Sequence, residues 1–171
     1  MSTAAPVSVE EYLRATYDPD CDYVDGDVQE RNLGERDHSD WQSELVYYFR
    51  SRRQQWKLYA WAEQRLQVSA TRFRVPDVCV TLERPPEQVF KSPPFICIEV
   101  LSAEDRMTRV QDRIDDYLSF GVRYVWVIDP TSRRVWVHTA EGSREVKDGL
   151  LRTENPDLSI KLSEIVAGFD A

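Results

Sequence analysis

The stretch 74–102 constrains this chain more than any other. It opens Arg74-Val75-Pro76-Asp77-Val78-Cys79-Val80-Thr81-Leu82, crosses a loop holding Pro85, Pro86, Pro93 and Pro94, and closes Phe95-Ile96-Cys97-Ile98-Glu99-Val100-Leu101-Ser102. Both ends read as buried strands: short apolar runs rich in β-branched residues, bounded by prolines. Each carries one carboxylate among its apolar neighbours. A lone buried Asp or Glu is costly unless a positive or hydrogen-bonding group compensates it. Two on neighbouring strands repel each other as well. A divalent cation between them removes both problems, because hard carboxylate oxygens are the ligands that magnesium and manganese take.

Alternation sharpens this reading. Residues two apart in a strand share a face. Asp77 therefore sides with Cys79, and Glu99 with Cys97 and Leu101, while Val78, Val80, Leu82, Ile98 and Val100 point the other way. If the strands are neighbours, both carboxylates can face one pocket. The bland alternative has Asp77 ending a strand beside Arg72 or Arg74, and Glu99 paired with an arginine.

The chain has 171 residues, enough to bury a real core, and is expected to form one domain over 1–171. No apolar run approaches the ~20 residues of a membrane helix. The N-terminus has neither a basic region nor an apolar core, so no signal peptide and no membrane partner are expected, and a cytoplasmic location is. Three cysteines (Cys21, Cys79, Cys97) and two histidines (His38, His138) show no zinc-like spacing; the thiols read as reduced, two of them small hydrophobes in strands. A net charge of −8 argues against a non-specific nucleic-acid coat, which gains affinity from basic surface. It leaves room for a local basic patch drawn from residues such as Lys57, Arg72, Arg74, Arg106, Arg109 and Arg113, each of which also reads simply as a solvated charge.

Residues 8–15 read as a short helix with a Ser8/Glu11 capping box and a Val7/Tyr12 staple. Residues 21–28 read as a hairpin turning at Asp25-Gly26. A first long helix spans 37–55, with Trp41, Leu45, Tyr48, Phe49 and Arg52 on one stripe. His38 lies near its start, either as a polar N-terminal residue or at the mouth of a site. Strands 58–62 and 64–69 follow. Glu63 at their junction reads as a turn residue, with a third acidic ligand as the other reading. A second helix runs from about 104 to Gly121. Its apolar arc holds Met107, Val110, Ile114, Tyr117 and Leu118; Asp112, Asp115 and Asp116 fall on the wet side. Arg106 and Arg113 lie at the arc's edge, where a long side chain can reach over a strand end. Strand 124–129, a hairpin return at 134–139, a weaker strand near 144–147, and a short strand with a helical turn over 158–165 complete the chain. Strand, helix, strand from 96 to 128 is one crossover unit. The expected class is α/β: a mixed sheet flanked by helices, with antiparallel strands at both ends.

In order, the chain shows Tyr23-Val24-Asp25-Gly26-Asp27, the His38-led helix, Arg74-Val75-Pro76-Asp77-Val78, Ile98-Glu99-Val100-Leu101-Ser102, a helix ending Tyr117-Leu118-Ser119-Phe120-Gly121-Val122, and Tyr124-Val125-Trp126-Val127-Ile128-Asp129-Pro130. From about 23 to 137 this resembles the Uma family of restriction-endonuclease-like proteins, a bacterial branch of the PD-(D/E)XK nuclease superfamily. The resemblance implies the restriction-endonuclease-like fold and a magnesium ion, with manganese as a substitute, held by Asp77, Glu99 and a main-chain carbonyl just after the second. Such an ion polarises a phosphate and activates water for in-line attack. The lysine usual two residues after the second carboxylate is Leu101 here. The family tends to move that lysine four residues before the helix tyrosine, and Arg113 stands there. Arginine keeps the charge and can stabilise a developing phosphorane, but it stays protonated and cannot act as a base. The expectation is a metal-dependent endonuclease with Asp77, Glu99 and Arg113 at the site and Glu63 and His38 as secondary candidates. DNA is the expected substrate, RNA stays open, and a homodimer is expected by analogy. The alternative is a non-catalytic nuclease-fold protein that binds nucleic acid or a protein partner.

Overall fold

The computed structural model describes residues 4–32 and 34–170. Helix α1 (Val9–Arg14) opens on the expected capping box: the Ser8 hydroxyl accepts from the Glu11 N–H, and the Glu11 carboxylate accepts from the Ser8 N–H. The hairpin follows as β1 (Asp22–Val24) and β2 (Asp27–Gln29), turning at Asp25 and Gly26 with φ of 51° and 98°. Two consecutive positive φ values are what this tight turn demands, and Asp-Gly tolerates them.

The first long helix is shorter than its periodicity suggests. Helix α2 (Arg36–Ser51) breaks at Arg52, and a single turn, α3 (Arg53–Trp56), follows before Lys57 turns the chain in the left-handed region. Trp41, Leu45, Tyr48 and Phe49 are buried as the stripe requires, while Arg52 pairs with Glu164 at 3.2 Å.

The strands β3 (Tyr59–Ala62), β4 (Leu66–Ser69), β5 (Arg72–Arg74), β6 (Val78–Thr81) and β7 (Ile96–Val100) come next. The expected strand beginning at Arg74 is in fact two pieces in different sheets. Strand β5 joins an antiparallel sheet of order β2-β1-β5-β4, and β6 joins the main one. Val75, Pro76 and Asp77 carry the chain between them, and Pro76 brings no N–H to a ladder. Helix α4 (Met107–Phe120) then leads to β8 (Tyr124–Ile128), β9 (Val135–Thr139) and β10 (Gly142–Glu145). The main sheet runs β10-β9-β8-β7-β6-β3, antiparallel throughout except for β7 and β8, which α4 links in parallel. An additional strand that periodicity did not suggest, β11 (Leu150–Thr153), pairs with β12 (Leu158–Lys161), and α5 (Leu162–Val166) with a closing 3₁₀ turn ends the chain.

This is the expected mixed sheet flanked by helices, with antiparallel strands at both ends. Its two faces bury separate cores. Val78, Val80, Ile96, Ile98 and Trp126 meet α2 and the C-terminal elements; Cys79, Cys97, Val125 and Val127 meet Val110, Ile114 and Tyr117 of α4. All three cysteines are buried free thiols, and Cys79 faces Cys97 across β6 and β7.

Two residues of α4 depart from the helical wheel. Met107 is 74% exposed. A helical side chain covers surface N-terminal to its own Cα, and Met107 is the first residue of α4, with no preceding turn to pack on. Asp116 is not on a wet side: β5 approaches that flank, and Arg72 and Arg74 hold its two oxygens at 2.8 and 2.6 Å. The helix stops at Gly121, whose φ of 111° suits glycine and whose N–H reaches the Tyr117 and Leu118 carbonyls. A Cβ there would also lie 3.3 Å from Pro93 Cγ. Gly121→Ala is therefore expected to cost about 1–3 kcal/mol, read as a lower urea midpoint with an unchanged slope.

Candidate active site

The register of β6 and β7 builds the site. Val78 faces Ile98 and Cys79 faces Cys97. One further step of the same pairing brings Asp77, at the entrance of β6, opposite Glu99. Both carboxylates thus take the α4 side of the sheet, as alternation requires. Each is only 4% exposed. Both line a cavity of about 20 Å³ together with Arg31, Asn32, His38, Ser102, Asp105 and Arg113. That is room for roughly one water molecule or one small cation. A wider cleft of about 670 Å³ shares Arg31, Asn32, His38 and Ser102 with this cavity.

Asp77 is fully engaged. Arg31 Nη2 donates to Oδ1 at 2.7 Å, His38 Nε2 lies 3.3 Å from the same oxygen, and the Val100 N–H donates to Oδ2 at 2.8 Å. Its main-chain carbonyl accepts from Gln42 Nε2 and the Glu63 N–H. Burial works to raise its pKa, but the His38 contact and the Arg31 charge outweigh it, so the carboxyl lies below its ordinary value. The Asp77 contact in turn lifts the His38 imidazole above its usual range.

Glu99 is held differently. The Tyr117 hydroxyl donates to Oε1 at 2.5 Å, whereas Oε2 lies 3.7 Å from Arg113 Nη1. Burial pushes its pKa up to about 7; Arg113 opposes this and the neighbouring Asp77 adds to it. The carboxylate pair is therefore short of positive charge on the Glu99 side. Arg113 is fixed from behind: its Nε lies 3.3 Å from Asp22 Oδ2 and its Nη1 3.7 Å from Asp105 Oδ1. Asp105 is itself oriented by Asn32 and by the Ser102 N–H.

Asp77, Glu99, Arg113 and His38 thus converge on one cavity. Glu63 stands apart. It is a turn residue at φ 49°, its side chain is 46% exposed, and it approaches Arg31 at 3.7 Å. Arg74 does not reach Asp77, because Asp22 and Asp116 hold it. Three partners escaped the sequence reading. Tyr117, one turn past Arg113, was legible only as an apolar residue. Asp22 looked like a hairpin charge. Arg31 lies between β2 and α2, where no sequence periodicity marks it.

Among the described residues, no group of three or more His, Cys, Asp or Glu side chains is gathered to hold a metal. The two carboxylates nevertheless suit magnesium, which is usually held by one or two carboxylates plus substrate phosphate rather than by an all-protein cage.

A mixed sheet with one parallel pair, a crossover helix over it, and an Asp and a Glu meeting on adjacent central strands define a nuclease fold of the restriction-endonuclease-like, PD-(D/E)XK class. The Uma2 family, described as "Putative restriction endonuclease", matches residues 9–170, and the chain belongs to it. A solved structure described as "a putative nuclease belonging to DUF820 from Anabaena variabilis ATCC 29413" shares the fold. It matches with a TM-score of 0.81 and 24% identity over 95% of this chain and 99% of that one. No curated protein matches this chain.

Proposed function

We propose that this protein is a magnesium-dependent endonuclease that hydrolyses phosphodiester bonds in DNA, with Asp77 and Glu99 as the metal ligands. The observation that carries this reading is the pair of buried carboxylates meeting across β6 and β7, with Glu99 Oε2 no nearer than 3.7 Å to its cation. Magnesium bound there supplies Lewis acidity toward the scissile phosphate and the attacking water. Asp77 and Glu99 present oxygen donors fixed by Val100, His38 and Tyr117. Arg113, anchored by Asp22, offers a permanent positive charge to the phosphate as negative charge builds up. It cannot accept a proton from water, so no basic role falls to it. Manganese is expected to substitute, and a homodimer, which presents two sites to two strands, completes the proposal.

Two observations favour a second reading, in which the fold binds nucleic acid or a protein partner without cutting. Asp77 is already paired with Arg31 at 2.7 Å and contacted by His38 at 3.3 Å, and arginine replaces the usual lysine. The test is calorimetric titration of Mg²⁺ and Mn²⁺ into the wild type, Asp77→Ala and Glu99→Ala, paired with cleavage assays on DNA and RNA. The proposal expects metal binding and DNA cleavage in the wild type and neither in the variants. Cleavage of equal strength in all three would mark a contaminating nuclease. DNA binding without cutting favours the second reading, and cutting of RNA alone replaces the substrate.

A further inference from the structure

Among the described residues, Arg31 is the arginine that touches both the carboxylate site and the spaces around it. Its side chain is 10% exposed, with Nη2 at 2.7 Å from Asp77 Oδ1 and Nη1 at 3.7 Å from Glu63 Oε1. Together with Asn32 and His38 it lines the small carboxylate cavity, the 670 Å³ cleft and a third pocket of about 210 Å³ beside Glu63 and Gln42. It therefore stands in the wall between the carboxylates and the approach to them. The described residues around it, Glu30, Asn32 and Gly34, lie in no strand or helix.

A guanidinium has donors in a planar fork and no acceptor. On Asp77 it supplies positive charge that a buried carboxylate needs, and it covers a lone pair that a metal would use. A phosphate in the cleft offers the same fork a second carboxylate-like face, and arginine pairs with phosphate bidentately. We infer that Arg31 is a phosphate ligand of this site and that, until a phosphate arrives, the same guanidinium stands in for the metal on Asp77. Moving Arg31 from Asp77 to phosphate uncovers Oδ1, so phosphate and metal favour each other's binding. The coupling is reciprocal by thermodynamic necessity. This rests on the proposed carboxylate metal site and adds to it the residue that couples substrate to metal.

The test is Mn²⁺ affinity, measured by calorimetry without substrate and again with inorganic phosphate, for the wild type, Arg31→Met, Arg31→Gln and Arg31→Lys. Melting curves confirm that each variant is folded. Arg31→Gln keeps hydrogen-bonding groups near Asp77 and guards against collapse of the Met variant. The inference expects phosphate to tighten Mn²⁺ binding to the wild type. It expects both uncharged variants to bind Mn²⁺ alone about tenfold more tightly than the wild type and to lose the phosphate effect; the lysine variant falls between. Equal or weaker Mn²⁺ binding in the folded uncharged variants overturns the inference and leaves the metal site standing. No Mn²⁺ binding by any form, with or without phosphate, overturns the metal site and the inference with it.

Discussion

Asp77→Asn and Glu99→Gln each lower magnesium-dependent DNA cleavage by roughly 10³-fold or more, and only the first lowers the melting temperature. The amides keep the shape of the carboxylates and some of their hydrogen bonds. Asparagine at 77 can still accept from the Val100 N–H, and glutamine at 99 from the Tyr117 hydroxyl. What they lose is charge. At Asp77 that charge is paired, because Arg31 and His38 hold it below its ordinary pKa; removing it leaves Arg31 buried with less compensation and lowers stability. At Glu99 burial and the neighbouring carboxylate already disfavour the charge, so removing it in metal-free protein leaves stability unchanged or slightly higher. A purely structural carboxylate pair behaves otherwise: both substitutions destabilise, and neither touches a metal-dependent rate. Plasmid cleavage beside thermal melting of the metal-free proteins separates the two cases. Parallel losses of stability at both positions, with cleavage retained, would remove Asp77 and Glu99 from the mechanism.

The parts of this site that were legible in the sequence are those set by short periods. Asp77 and Glu99 stood out because a period of two assigned each to a face, and the strand neighbours were strongly apolar. Arg113 stood out because a 100° step put it at the edge of a buried arc. The Ser8 cap, the Asp25-Gly26 turn and the Gly121 stop were local signals and hold in the structure. The remainder is set by contacts distant in sequence. Asp116 sits on the polar side of its helix by any wheel, yet a second sheet delivers Arg72 and Arg74 to it from more than forty positions earlier. Arg31 lies 46 residues from Asp77 in a segment with no regular spacing. The split between β5 and β6 was hidden because β5 is only Arg72-Phe73-Arg74 and runs straight into Val75-Pro76-Asp77, and only the change of sheet separates it from β6.

Arg74→Met is expected to cost about 3–5 kcal/mol of folding stability. Arg74 is only 2% exposed. Its Nη1 lies 3.0 Å from Asp22 Oδ2 and its Nε 2.6 Å from Asp116 Oδ2. A methionine of similar reach fills the space but leaves two carboxylates in a poorly solvated site. Arg72 still reaches Asp116 and Arg113 still reaches Asp22, which keeps the cost below that of two orphaned charges. The loss should shrink when the partner charge is removed as well, so the double variant Arg74→Met with Asp22→Asn is expected to be less destabilised than the sum of the single ones. The same carboxylate, Asp22, holds Arg113 Nε behind Glu99, so Asp22→Asn alone should also loosen Arg113 and lower cleavage without changing the metal ligands. Urea unfolding of the three variants decides the matter. A loss under about 1 kcal/mol for Arg74→Met would place it among weakly contributing ion pairs, and strict additivity in the double variant would deny that Arg74 and Asp22 act as a pair.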